Sequence, residues 1–300
     1  MMPACTKSAL RGVLHVNAPL RTLNSWRVGG AAAQLYKPAD TDDLCLFLSG
    51  LNADEPLTWF GLGTNILVGD GGVRGTVIAV HAALNGLIKI APARLRAQAG
   101  VPCAKIARLC TRLGLTGAEF MVGIPGTIGG ALAMNAGASG GQTWDVVTSV
   151  ETVDRLGRIR RRNRSEFTVA YREVGLPGEE WFVAAELELQ PGDKTTSLSE
   201  IKTLLDRRQA SQPLGMFSCG SVFRNPPGDF AARLIDAAGL KGYRIGGACV
   251  SDRHANFIIN TDKATAAHIE ALIEFVQRRV EQTHGVRLIP EVRIVGEPGP

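Results

Sequence analysis

Three hundred residues, 45% hydrophobic and 20% charged, describe a globular chain of one large or two ordinary domains with enough apolar mass for a core. The net charge of +5 favours anionic ligands by steering, and by itself it does not indicate nucleic acid.

In chain order, the first 22 residues read as an N-terminal extension. "MMPACTKSALRGVLHV" lacks the apolar core of about 7–15 residues that a signal peptide carries, so a cytoplasmic protein is expected. "PADTDDLCLFLSGL" predicts a helix over 38–51 with Thr41 as N-cap and two acids in the first turn. "LTWF" is a short strand running into the glycine-rich "GLGTNILVGDGG". "GTVIAV" and "GLIKI" read as buried strands, and "RLRAQAG" as a strand with one polar face. Pro102 starts a helix whose apolar stripe is Ile106, Leu109, Cys110 and Leu113, with Gly114 as terminator.

Phe120 to Trp144 then contains no charged residue and seven glycines. Composition argues against a membrane span, because the glycines dilute the apolarity and Pro125 interrupts a helix. Two readings stay open. One is a loop whose bare backbone approaches a phosphate; the other is a buried, turn-rich core segment.

"VETVDRLGRIRRR" predicts two strands around an Asp154–Gly157 turn. The six arginines from Arg155 to Arg164 could form a nucleic-acid patch. Without interleaved aromatics they read instead as an outer strand whose edge is guarded by charge. A boundary falls near "QPGDKTT", dividing 23–192 from a C-terminal α+β unit, 193–300. There, Ser197 and Glu200 suggest a capping box for a helix running to about Gln212. "DFAARLIDAAGLKG" is a helix ending at Gly239. "DKATAAHIEALIEFVQRRVEQTHG" is a longer one, with a stripe of Ile269, Leu272, Ile273, Val276 and Val280 and a stop at Gly285. Strands are expected near 221–224, 255–260 and 291–295. Cys5, Cys45, Cys103, Cys110, Cys219 and Cys249 form no CxxC pair and no Cys/His cluster of zinc spacing, so no metal site is expected.

The two glycine loops, "GLGTNILV" and "GIPGTIGGALAMNAGA", are neither GxGxxG nor GxxxxGK[ST]. In this order, after "RVGGAAAQLYKPADTDDL", they resemble the FAD-binding domain of the vanillyl-alcohol-oxidase type. The fold implied is α+β, with two small subdomains holding the cofactor between them. "AYREVG", "SCGSVFRNP", "AARLIDAAGLKGYRIGGACVSDRHANFIIN" and "PEVRIVG" resemble the UDP-N-acetylenolpyruvoylglucosamine reductases, and the likeness runs from about residue 20 to 296. At 300 residues the chain looks like the shorter branch of that family, without the insertion whose tyrosine closes over substrate.

The resemblance implies FAD and NADPH as cofactors, a UDP-sugar substrate, peptidoglycan precursor synthesis in the cytoplasm and, as the expected state, a monomer. The pyrophosphate cradle would be Gly61, Leu62, Gly63, Thr64, Asn65 and Ile66 from the first loop. The second would supply Gly123, Ile124, Pro125, Gly126, Thr127, Gly129, Gly130, Asn135 and Gly137. The implied substrate is an enol ether conjugated to a carboxylate. Its reduction needs a hydride from reduced flavin, a clamp for charge building on the carboxylate, and a proton donor. By the motif match Arg172 is the clamp and substrate contact, Ser221 the proton donor, Glu291 the catalytic acid and Asn225 a contact to the substrate diphosphate. His254 carries no role in the match and reads as structural. Cys219, two residues from Ser221 and on the same face if the segment is a strand, is given none. The rival readings are a flavin oxidase of the same fold, a nonenzymatic FAD-binding protein, and an RNA-binding protein using the arginine hairpin.

Overall fold

Four strands open the architecture, and their order follows from where the apolar side chains must go. In the computed structural model, which describes residues 9–261 and 263–299, they lie in the order Val13–Pro19, Ala31–Lys37, Val73–Ala79, Leu57–Phe60. The first pair is antiparallel and the rest parallel. Helix α1 (Thr41–Ser49) lays Leu44, Phe47 and Leu48 against this sheet, and Phe47 stacks on Tyr36. Its cap is Asp40, one residue before the expected Thr41: the Asp40 carboxylate accepts the Asp43 N–H at 2.9 Å. The strand Val13–Pro19 corrects the expectation of an extension up to residue 22. It buries Ala18 alone, so it carries almost no apolar alternation to betray it. Cys5, with the rest of residues 1–8, lies outside the described residues, as does Asp262 of the predicted final helix.

A second subdomain is built on five antiparallel strands in the order Ile159–Asn163, Val147–Asp154, Glu180–Glu188, Arg94–Gln98, Leu87–Ala91. Helix α2 (Cys103–Arg112) covers one face with Cys103, Ile106, Ala107 and Cys110, while Leu113 stays exposed. "GLIKI" was expected to be buried. It is instead a sheet edge, with Ile88 54% exposed. The arginine hairpin forms the opposite edge, and its cations meet carboxylates. Arg162 binds Glu180 at 2.5 Å and Glu166 at 2.8 Å; Arg161 reaches Glu186 at 2.9 Å.

The short helix α3 (Ile128–Ala133) follows the second glycine loop. Helix α4 (Lys194–Ser211) starts a turn before the predicted capping box, because Asp193 accepts the Thr196 N–H. Ser197 is buried and donates to Glu119 at 2.5 Å. Ile201 and Leu204 pack into the core of the second subdomain, so α4 adheres to that body although the sequence boundary placed it with the C-terminal unit.

The C-terminal unit holds a three-stranded antiparallel sheet, Arg244–Ile245, Ala248–Val250 and Ile258–Asn260, with helices α5 (Ala231–Ala237) and α6 (Ala266–His284). Gly285 ends α6 in the left-handed region, φ +67°. The predicted stripe of α6 is buried throughout. Residues 221–224 do not form the expected strand; a single bridge joins Phe223 to Pro290.

This unit is not independent of the first subdomain. Trp26, Val28 and Leu67 sit in its core, Trp26 Nε1 donates to Ile258 O at 2.7 Å, and Asn260 returns a bond to Trp26 O. Asp70 accepts the first two N–H groups of α6, from Ala266 and Ala267. The last strand, Arg293–Val295, pairs in parallel with Ile66–Val68. Among the described residues no helix is long and apolar enough to cross a membrane.

Candidate active site

Strand Leu57–Phe60 delivers the chain into the first glycine loop with Phe60 buried beneath it. Gly63 turns at φ +62°, and a β-carbon there would collide with Leu23 O, so this glycine is demanded by the fold. Asn65 then joins loop to C-terminus: its side chain donates to Glu291 O at 3.0 Å, and its carbonyl accepts the Arg293 N–H.

The second loop is pinned by Cys103 N–H on Gly126 O and Ile128 N–H on Val101 O. Gly126 and Gly130 differ from Gly63. The nearest protein atoms to an added β-carbon are Thr64 Oγ1 at 3.4 Å and Thr127 Oγ1 at 3.9 Å, so both glycines front open space.

That space is a cavity of about 450 Å³ between the two loops and the C-terminal unit. Gly61 to Ile66, Gly123 to Thr127, Gly130 and Gly137 all line it. Gly129 and Asn135 do not. Gly129 faces Ala99, to which its N–H donates. Asn135 is buried and bonded to Gln142, Ala170 O and Trp144 N–H, so its amide is consumed in holding the loop.

Arg172 occupies the tip of the hairpin formed by Thr168–Ala170 and Glu173–Gly175, in the left-handed region at φ +58°. Its Nη1 donates to Asn135 O at 3.2 Å and Nη2 to Gly137 O at 3.0 Å, fixing the guanidinium plane. Nε lies 3.1 Å from Glu291 Oε1, with both side chains largely buried. The angle is poor for a hydrogen bond, so among the described residues Nε has no aligned acceptor and the contact is a close approach of the two groups.

Ser221 follows Gly220, which turns at φ +82°. Asn256 substitutes for a partner strand here: its side chain accepts the Phe223 N–H and donates to Phe223 O, and its carbonyl accepts from Val222. Glu291 N–H in turn donates to Val222 O at 2.7 Å. The serine segment and the glutamate are therefore adjacent by backbone pairing, and both line the cavity with Arg172 and Asn225. Burial pushes the Glu291 carboxyl above its ordinary value, and the charges of Arg172 and Arg224 only partly offset this. The same burial, with Glu291 nearby, drives the Cys219 thiol well up, so this wall residue stays protonated. His254 is outside the cavity wall, edge-on to Phe257.

Sequence reasoning missed Trp59, Arg207, Arg208 and Arg293 in the wall. Arg208 is partly buried, which lowers its pKa, and its Nε donates to Gln212 Oε1 at 3.0 Å. In the sequence this arginine pair looks like an ordinary solvated helix face. Among the described residues no group of three His, Cys, Asp or Glu could hold a metal.

The cavity fits a dinucleotide cofactor. Two glycines present space that a side chain would fill. Thr127 Oγ1, packed against Gly61 in the wall, has no hydrogen-bond partner among the described residues.

Comparison with known proteins agrees. Residues 32–163 match a family described as FAD binding domain, and residues 212–295 match the UDP-N-acetylenolpyruvoylglucosamine reductase, C-terminal domain. The chain is 56% identical to the UDP-N-acetylenolpyruvoylglucosamine reductase of Alkalilimnicola ehrlichii over 99% of both chains. It is 57% identical to that of Methylococcus capsulatus, over 98% of this chain and 97% of the relative. The crystal structure of the Thermus caldophilus reductase superposes with a TM-score of 0.79 at 30% identity, covering 96% of this chain and 100% of the other. The two-subdomain FAD-binding fold and the C-terminal α+β unit are thus both accounted for. Since these matches extend through the glycine cradle and the serine and glutamate segments alike, the chain belongs to the UDP-N-acetylenolpyruvoylglucosamine reductase family.

Proposed function

We infer that the protein reduces the enolpyruvyl group of UDP-N-acetyl-3-O-(1-carboxyvinyl)-glucosamine to UDP-N-acetylmuramate, a step of peptidoglycan precursor synthesis, using FAD and NADPH in the cytoplasm. The observation that carries the reading is the Arg172–Glu291 pair, 3.1 Å apart on the wall that also presents Ser221. Gly61–Ile66 and Gly123–Thr127 would hold FAD, which would supply the hydride for the terminal carbon of the substrate's C=C bond.

The chain's own groups do the rest. Arg172, its plane set by two carbonyls, binds the substrate carboxylate and attracts it more strongly as negative charge accumulates there. Ser221 gives a proton to the carbon beside that carboxylate. A serine hydroxyl is a weak acid, so its oxygen needs a nearby proton source. Glu291, on the same wall, is placed to supply one, and burial shifts its carboxyl toward holding a proton against the pull of Arg172. Asn225, its side chain accepting from Ala231 N–H at 3.1 Å, meets the substrate diphosphate. All these residues come from one chain, and a monomer suffices.

The test is anaerobic NADPH oxidation by the yellow, flavin-loaded protein. Oxidation should require the enolpyruvyl substrate. Ser221→Ala should keep its flavin and its reduction by NADPH, while oxidation by substrate slows ~10²–10⁴-fold, as for a lost general acid. Purification without flavin, or turnover that needs oxygen and ignores the substrate, would overturn the reading.

A further inference from the structure

Arg172 sits at the hairpin tip, and Glu173 begins the return strand Glu173–Gly175. Both of these neighbours reach across to the C-terminal unit. Arg172 Nε lies 3.1 Å from Glu291 Oε1, and Glu173 Oε2 lies 3.5 Å from Arg224 Nη1. Their partners are held together as well. The Arg224 N–H donates to Ile289 O at 2.9 Å and the Glu291 N–H to Val222 O at 2.7 Å, so the segments 222–224 and 289–291 run side by side. The inner contact belongs to the cavity, whose wall includes Arg172, Ser221 and Glu291. The outer contact does not, because neither Glu173 nor Arg224 lines that wall. Arg224 Nε is buried with no hydrogen-bond partner among the described residues, and its side chain is 30% exposed.

We propose that Arg224 and Glu173 are a positioning pair, which keeps the Arg172 hairpin in register with the Ser221 segment while substrate occupies Arg172. The inference rests on the functional reading above, in which Arg172 holds the substrate carboxylate and Ser221 protonates the carbon beside it. The two catalytic groups are anchored to different bodies. Asn135 O and Gly137 O tie Arg172 to the second glycine loop. The segment after Ser221 is bonded to Asn256 and Glu291, both in the C-terminal unit. Their relative placement therefore depends on contacts between hairpin and unit. A carboxylate arriving at Arg172 competes with Glu291 for the guanidinium, so the inner contact weakens when alignment matters. The outer pair lies beyond the substrate and keeps its hold. Without it the carboxylate still finds Arg172, but the carbon beside it stands less often within reach of Ser221. The loss falls on the proton step at saturating substrate and spares binding.

The experiment is a double-mutant cycle on the flavin-loaded protein, with Arg224→Gln, Glu173→Gln and the two combined, followed by stopped flow. Each single variant should keep its flavin and its rate of reduction by NADPH. Reoxidation by saturating enolpyruvyl substrate should slow ~2–5-fold in each, the range of an exposed charge pair, with the half-saturating substrate concentration unchanged. The double variant should be no slower than the singles, because either change alone dissolves the pair. Slowing that multiplies in the double variant, wild-type reoxidation in either single, or a loss confined to the half-saturating concentration each overturns the proposal. The Glu173 side chain is 70% exposed, so Glu173→Gln should fold like the parent. Should Arg224→Gln fail to fold, Glu173→Gln decides alone: slowed reoxidation with intact reduction by NADPH upholds the pair, and a wild-type rate overturns it. Wild-type protein that the enolpyruvyl substrate never reoxidises overturns the functional reading and this inference together.

Discussion

Gly126 and Gly63 both belong to the glycine loops, and a valine would fail at each for a different reason. At Gly126 the new side chain meets no protein atom closer than 3.4 Å and projects into the cofactor's space. Gly126→Val should therefore fold and melt like the flavin-free parent but purify with little flavin, read from the flavin-to-protein absorbance ratio. A full complement of flavin in the soluble variant would remove this loop from the cradle. Gly63→Val should instead accumulate as insoluble protein, because its φ of +62° and the Leu23 carbonyl leave no room for a branched side chain. Glu291 gives a pH test. Its folded pKa is raised, so the native state holds the proton more tightly than the unfolded chain. The stability this contributes is complete below the ordinary value of about 4.5 and is lost as pH rises through the raised one. The difference in melting temperature between Glu291→Gln and wild type should shift in favour of the glutamine as pH climbs through that window. A difference that stays flat from pH 4 to 8 would show the carboxyl to be unperturbed. At this scale the sequence was legible through motifs: Arg172, Ser221, Asn225 and Glu291 were picked out by the residues around them and all reach the cavity. Asn135 and Gly129 sat in the same motif and face elsewhere, since a motif does not say which way a side chain points. Trp59 was illegible because an aromatic in a four-residue strand reads as core.

The edge strand Ile159–Asn163 shows what an element does with an excess of charge. Arg162 donates two bonds to Glu180, which also accepts from Thr152, and only 6% of the Glu180 side chain is exposed. Arg162 holds the Glu180 carboxyl down to about 2. This contribution is present above the ordinary value of about 4.5 and is lost as pH falls toward about 2. Glu180→Gln should cost about 3 kcal/mol at neutral pH, as when a buried pair loses one partner, and progressively less in acid. Denaturant titrations at pH 7 and pH 3 measure this, and an equal cost at both would contradict the pairing. The hairpin itself was legible from its turn and charge pattern. Element ends were less so. Helix α4 starts just after Asp193 because that acid caps the Thr196 N–H, leaving Ser197 to bond Glu119. Residues 221–224 have the composition of a strand, but the side chain of Asn256 supplies the bonds a neighbouring strand would have made.

For the whole molecule, the decisive fact is that cores are shared across the sequence boundaries. The C-terminal unit closes its interior with Trp26, Val28 and Leu67, of which Trp26 is wholly buried. Expressed alone, residues 212–299 should show no cooperative thermal transition by circular dichroism, because fewer than ~100 residues leave little stability to spare for an empty tryptophan seat. A sharp transition would mean the unit folds unaided. Such sharing was invisible in the sequence, where periodicity reports that a face is buried but not what covers it. The pairing of Arg293–Val295 with Ile66–Val68, and of Asn65 with Glu291, adds a consequence in time. Asn65 and Glu291 lie 226 residues apart. On a ribosome adding about 5–20 residues per second, the first loop emerges ~10–45 s before the segment that completes it. A nascent chain thus carries half a binding site until residues 291–295 have emerged, and flavin capture waits for that segment.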